Sequence, residues 1–256
     1  MAGTPAAAER VTPWELAHAT ARAAGVELRP IERVDEAAHI RALIRSTWGG
    51  QDLPPETIRA LAHSGNRAWA AFDGAACVAF VLGWAGVDAD GLHVHSHMLA
   101  TAPSHRGRGI GAALKFAQRA QALDQDIHVV RWTFDPMVTR NAVFNLERLG
   151  AVADRFHRHF YGDMGDAMNV GQRSDRLVAR WDLDRAPGPR GLAAGARIVP
   201  VTADYAAVRA TDAEAAAAVR EEVASGIEAA LADGLVAAGF DAATSAYRFA
   251  PPGSLR

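Results

Sequence analysis

Of 256 residues, half are hydrophobic and 22% are charged, the balance of a soluble globular chain long enough to bury a substantial core. A net charge of −2 excludes a general attraction to nucleic acid or to acidic membrane surfaces. Cys77 stands alone, which excludes an internal disulfide, and neither a signal-peptide pattern nor a run of about 18 apolar residues is present, so a cytoplasmic protein is expected.

Thr12-Pro13-Trp14-Glu15 reads as a helix start, with Thr12 as cap and Glu15 closing a capping box, and Gly25 stops that helix. A strand from Val26 to Ile31 follows. Asp35 is expected to cap a helix through Ile40 and Ile44 to Trp48, ended by Gly49-Gly50, and a second helix runs from Pro55-Glu56 to just before Gly65. Ala68 to Phe72 and Ala75 to Trp84 read as strands joined by Asp73-Gly74, a strong hairpin signal, with Cys77 as a buried, inert thiol. Gly91 to Thr101 is the next strand, and a helix from Ile110 turns Ala113, Leu114 and Ala117 to one face.

His128 to Phe134 reads as a strand and Val138 to Leu149 as a helix stopped by Gly150. Val152 to Tyr161 and Arg176 to Leu183 read as closing strands around a glycine-rich loop. From Asp184 a Pro- and Gly-rich linker leads to a short apolar piece, Ile198 to Val201. Thr211-x-x-Glu214 then opens an alanine-rich helix with Val219, Val223, Ile227 and Leu231 as its stripe, and a strand pair ends the chain. Residues 1–184, with a core over 26–183, are expected to form one domain, and 185–256 a linker and helical extension that packs on the core or joins two copies in a homodimer.

The chemistry concentrates after Leu99. A strand end runs through a Pro-containing bend into Arg106-Gly107-Arg108-Gly109-Ile110-Gly111 and then a helix. The first amides of a helix lack intrahelical acceptors and sit at its positive end, and glycines let a phosphate approach them closely. An ordinary glycine turn is the plainer reading of such a short pattern. A Walker loop needs Lys and Ser or Thr where this chain has Ala112 and Ala113, and a dinucleotide fingerprint needs another glycine spacing.

Arg106-x-x-Gly109-x-Gly111 resembles the acyl-CoA pyrophosphate loop, Q/R-x-x-G-x-G/A, of the GNAT superfamily of N-acyltransferases, and Leu99-Ala100-Thr101-Ala102-Pro103 resembles that family's strand end. The resemblance spans roughly Val26 to Leu183. It implies an α/β fold with a mixed, mostly antiparallel central sheet flanked by helices, here with a helical C-terminal extension. It also implies acetyl-CoA or another acyl-CoA as co-substrate, no metal, and backbone amides from Arg106 through Gly107, Arg108, Gly109 and Ile110 to Gly111 as the diphosphate site. By position, Leu99 and Thr101 would contact the pantetheine arm, with a Leu99 amide facing the thioester oxygen. Asn141 is either a pantetheine ligand or a helix-start residue serving local amides.

Acyl transfer also needs a base. Alternation puts His93, His95 and His97 on one strand face, where i, i+2, i+4 spacing spreads the rings by about 13 Å, too far for one ion. They are either a structural polar face or a base near neutral pKa, and His95-x-His97 with Met98-Leu99-Ala100-Thr101 is similar to the H-x-H-A-L-A-V of arylalkylamine N-acetyltransferases, whose histidines relay the proton. His97 is the first candidate and His95 the second. Many GNAT enzymes place a Tyr four residues before the helix-ending glycine to protonate the thiolate. Leu146 stands there, which leaves Tyr161 or water, or no acid at all.

Trp132 to Pro136 would line an acceptor pocket or belong to the core, and Arg131 and Arg173 would hold a substrate carboxylate or make salt bridges. The expected activity is transfer from acyl-CoA to a small amine or amino acid. A non-catalytic acyl-CoA sensor and a protein acetyltransferase are the alternatives.

Overall fold

Residues 11–49, 53–165, 171–191 and 195–255 are described by a computed structural model. The chain divides into two compact units, the described residues of Met1–Leu43, Leu53–Leu82 and Met98–Gln125, and those of Ile44–Asp52, Gly83–His97 and Asp126–Arg256.

In the first unit, helix α1 (Pro13–Ala23) carries the capping box its sequence encodes: Glu15 N–H donates to Thr12 Oγ1 at 3.2 Å and Thr12 N–H to Glu15 Oε2 at 2.7 Å. It packs on α4 (Ile110–Asp124), where Trp14 Nε1 donates to Asp124 at 2.8 Å. Strands β1 (Glu27–Ile31), β2 (Ala68–Asp73) and β3 (Ala76–Asp88) pair antiparallel in that order. Helix α2 (Ala37–Trp48) opens two residues after the expected cap because Asp35 spends its carboxylate on the Arg33 fork at 2.9 Å, while Glu36 takes the Glu32 and Arg33 amides. Helix α3 spans Pro55–His63. The half-buried Cys77 thiol is pushed up to about 11 by burial, so it stays protonated.

Strands β3 and β4 (Gly91–Thr101) run on into the second unit, whose sheet order is β4-β5-β7-β6-β9-β10-β8. Strand β5 (Val129–Phe134) is parallel to β4 and antiparallel to β7 (Arg176–Asp182). Strand β6 (Val152–His157) ends four residues before the expected limit, since His159 takes φ 51° and turns the chain out of the sheet. The expected helix from Val138 is α5 (Thr139–Ala142) continued by a π-helical segment, Val143–Arg148, with a Leu149 amide to Phe144 carbonyl bond of 3.0 Å.

The C-terminal stretch holds helices and strands alike. Strands β8 (Arg197–Pro200), β9 (Val236–Asp241) and β10 (Ala246–Ala250) extend the sheet, with β9 meeting β6 at Ala153↔Ala237. Helix α6 (Tyr205–Thr211) precedes α7 (Ala213–Ala232), so Thr211 closes one helix instead of capping the next. Asp212 is the cap, its carboxylate accepting from the Ala215 amide at 2.9 Å. Of the expected stripe, Val223 and Ile227 are buried and Val219 and Leu231 only partly so.

Candidate active site

The glycine turn after β4 is built to leave its amides open. Pro103–His105 makes one 3-10 turn, and Gly107 and Gly109 then take φ of 78° and 88°, a region open to glycine at little cost. A Cβ at either position would meet no protein atom within 4 Å, so the space in front of the backbone is clear. The Gly109 carbonyl accepts from Ala112 and Ala113, while the amides of Gly107, Arg108, Gly109, Ile110 and Gly111 donate to no acceptor among the described residues. The Arg106 amide is spent on the Pro103 carbonyl at 3.4 Å, which trims the expected set by one. Five open donors at the head of a 15-residue helix suit a diphosphate.

Side chains hold this turn from behind. Arg106 Nε donates to the Thr101 carbonyl at 3.3 Å, and Arg108 Nη2 to the Ala24 carbonyl at 2.8 Å. Asp73, on the β2–β3 turn, meets His105 Nε2 at 3.1 Å and Arg108 Nη1 at 3.6 Å. Those partners, His105 first, keep its carboxyl below the usual range.

In the second unit the parallel ladder between β4 and β5 consists of Val94↔Val130 and His95↔Arg131, and it ends there. Two residues further along each strand, His97 and Thr133 are unpaired in that ladder. Both flank a place where the sheet opens.

The histidines of this row differ in exposure along the strand. His93 is buried, its Nδ1 3.2 Å from the Gly91 carbonyl and 3.9 Å from Asp88, which turns it toward the hairpin end. His95 is half-buried and His97 exposed. The Trp84 ring lies 5.3 Å from that of His95 and 4.9 Å from that of His97, with the two imidazoles 5.8 Å apart. Crowding by the surrounding protein pushes the His97 pKa below its ordinary value, so the neutral, proton-accepting form prevails at neutral pH. Trp84 was not among the candidates, although counting back from the Ala89-Asp90 turn would have set it opposite His95.

On the β5 side, Tyr161 places its hydroxyl 3.0 Å from Thr133 Oγ1, with the Arg176 guanidinium 5.3 Å over its ring. Arg131 is buried among Asp88, Asp90 and Asp154, and Arg173 pairs with Asp175 and Glu221, so both are ion-pair residues of the fold. Trp132 and Phe134 are core, Trp132 lying edge-on to Trp181 at 6.5 Å. Among the described residues no His, Cys, Asp and Glu cluster could hold a metal, and no helix is long and apolar enough to cross a membrane.

Residues 37–150 match the family model of the GNAT acetyltransferase family. The chain carries a GNAT acetyltransferase domain. Solved structures share that fold. Naa20 of Chaetomium thermophilum, in complex with a bisubstrate analogue, is 18% identical, with 62% of this chain and 88% of that one covered at a TM-score of 0.51. NAA60 of Arabidopsis thaliana, in complex with acetyl-CoA, is 16% identical over 62% and 99% of the two chains at 0.50. The yncA protein of Salmonella typhimurium, with acetyl-CoA, is 13% identical over 64% and 98% at 0.50. No curated protein matches the chain significantly in sequence.

Within the GNAT domain, Leu146 is fully buried in the π-helical segment, so the position of the family's tyrosine carries no hydroxyl here. Asn141 is not the cap of its helix, a place held by Val138. Its amide donates to the Val138 carbonyl at 2.8 Å, and its partly exposed side chain makes no hydrogen bond among the described residues.

Proposed function

We propose that this protein is a cytoplasmic N-acyltransferase that moves an acetyl or related acyl group from acyl-CoA to the amine of a small molecule or amino acid. Residues 1–184 form the acyltransferase domain in this reading, and 185–256 its extension. The observation that carries it is the set of open amides from Gly107 to Gly111, with glycines leaving clear space in front of them. Acyl-CoA supplies an acyl group activated as a thioester, with a diphosphate at the far end of the molecule. The open amides hold that diphosphate, the backbone of Leu99 and Thr101 lies along the pantetheine arm, and the Asn141 carboxamide binds the same arm.

His97 removes the proton from the substrate ammonium, with His95 beside it to pass the proton on. The freed nitrogen lone pair forms the new N–C bond, the nitrogen, now cationic, gives up its second proton to solvent by way of the histidines, and the C–S bond breaks so that the sulfur leaves as a thiolate. Tyr161 donates its hydroxyl proton to that sulfur and recovers one from solvent. Because a thiolate is a weak base and leaves readily, this donor accelerates the reaction less than the base does. Trp84, whose ring lies beside both imidazoles, gives the amine a flat apolar surface.

Isothermal calorimetry with coenzyme A tests the donor site. Gly109→Trp fills the clear space and is expected to weaken binding at least about 100-fold, from several lost charge-assisted hydrogen bonds at about 1.5–3 kcal/mol each. Unchanged affinity overturns the donor site. Thiol release from acetyl-CoA across a panel of amines and lysine peptides identifies the acceptor class, and binding without release with any of them reassigns the domain as a sensor.

A further inference from the structure

Between β6 and β7 the chain leaves the sheet at Arg158 and comes back through Arg173, and both ends reach one side chain on α7. Arg158 Nη1 bonds Glu221 Oε1 and Oε2 at 2.8 and 2.6 Å, and Arg173 Nη1 bonds Glu221 Oε2 at 2.8 Å. The other edge of Arg158, Nε and Nη2, bonds Glu228 at 2.7 and 2.8 Å, seven residues further along the helix. Arg173 turns its own fork to Asp175 at 2.7 and 2.8 Å, and that carboxylate is fully buried and also accepts the His159 amide at 3.0 Å.

What these pairs enclose is the Tyr161 segment. The Phe160 amide donates to the Ser174 carbonyl at 2.9 Å, the Tyr161 amide to Ser174 Oγ at 3.0 Å and the Gly162 amide to the His159 carbonyl at 3.0 Å. The Tyr161 hydroxyl then stands against Thr133 on β5. A single exposed ion pair contributes little to stability, but forked arginine–carboxylate pairs sharing members in a network are the exception. Arg158 and then Arg173 push the Glu221 carboxyl down to about 2, which keeps it charged across the physiological range.

We propose that Glu221 is a positioning residue for acyl transfer: by holding Arg158 and Arg173 together it closes the neck of the Tyr161 segment and fixes that hydroxyl beside Thr133. The C-terminal extension thereby holds in place the group that protonates the departing sulfur. This rests on the reading of Tyr161 given above, so the test separates the two.

Glu221→Gln in the full-length protein keeps the shape of the side chain and removes its charge. Hydrogen exchange at the Phe160, Tyr161 and Gly162 amides is expected to accelerate at least about tenfold. Turnover of the amine should fall about tenfold, with coenzyme A affinity within about twofold of wild type. About 0.5 M salt should move wild-type exchange and turnover toward the variant's values while leaving the variant unchanged. Glu228→Gln, which leaves Arg158 and Arg173 joined, should have the smaller effect. Equal exchange in Glu221→Gln and wild type overturns the proposal, as does faster exchange with unaltered turnover. A wild-type protein that fails to bind coenzyme A sinks the acyltransferase reading instead, and the exchange measurement still decides whether Glu221 holds the segment.

Discussion

His97 sits two residues past the last β4–β5 pair, crowded enough that its pKa lies below that of a free histidine. A base is active when unprotonated, so the acid limb of the kcat/KM profile is expected below about pH 6.5. His97→Ala should lower turnover by about 100-fold or more at neutral pH and leave coenzyme A affinity intact. A wild-type rate in that variant returns the histidine row to a structural role. At this scale the glycines of the donor turn were legible, because Gly107 and Gly109 occupy positive φ that few other residues accept. Arg131 was legible only as an ambiguity, since its three carboxylate partners come from β6 and from a hairpin about 40 residues upstream. Glu221 carries no local signal of its role, since it acts through side chains brought to it by folding, whereas Trp84 is legible only through the register of its hairpin.

Elements with strong punctuation were read closely. Strand β4 matches its expected limits of Gly91 and Thr101, and the capping box of α1 is made as written, because both depend on neighbours within four residues. Misreadings arose where a side chain had a competing partner or where the backbone departed from a regular period. Asp35 is claimed by Arg33, Asp212 and not Thr211 caps α7, and α6, capped by Asp204, lies where no helix is expected. The π-helical turn of Val143–Arg148 leaves no trace in apolar spacing, since it alters which carbonyl each amide meets while Asn145 and Leu146 still face the interior. The glycine that ends it yields a prediction. Gly150 has φ 74°, and a Cβ there would lie 2.2 Å from the Gly188 carbonyl oxygen. Gly150→Ala is therefore expected to cost about 2 kcal/mol or more, read as a lower midpoint in urea denaturation, and an unchanged midpoint would show that the Gly188 segment yields freely.

Stability of the whole molecule should depend on pH through Lys115, a lysine inside α4. It is 3% exposed, its ammonium donates to Gln118 Oε1 at 3.0 Å, and burial pushes its pKa down to about 7. Unfolded lysine titrates near 10.4, so between these values the unfolded chain binds a proton that the folded chain has shed. Wherever the unfolded state binds more protons, stability rises with pH, here from about 7 to about 10. Lys115→Met should flatten that rise in denaturation midpoints taken across the range, and a slope equal to wild type would mean that the ammonium is already tolerated inside. Lys115 is also the sole lysine of the sequence, and every other cationic side chain that keeps its charge is an arginine. The folded molecule consequently offers an acyl donor no accessible ε-amine of its own. Self-modification at lysine is ruled out by the architecture, and any acylated lysine found by mass spectrometry in a reaction mixture belongs to something else or reports a molecule that has come apart.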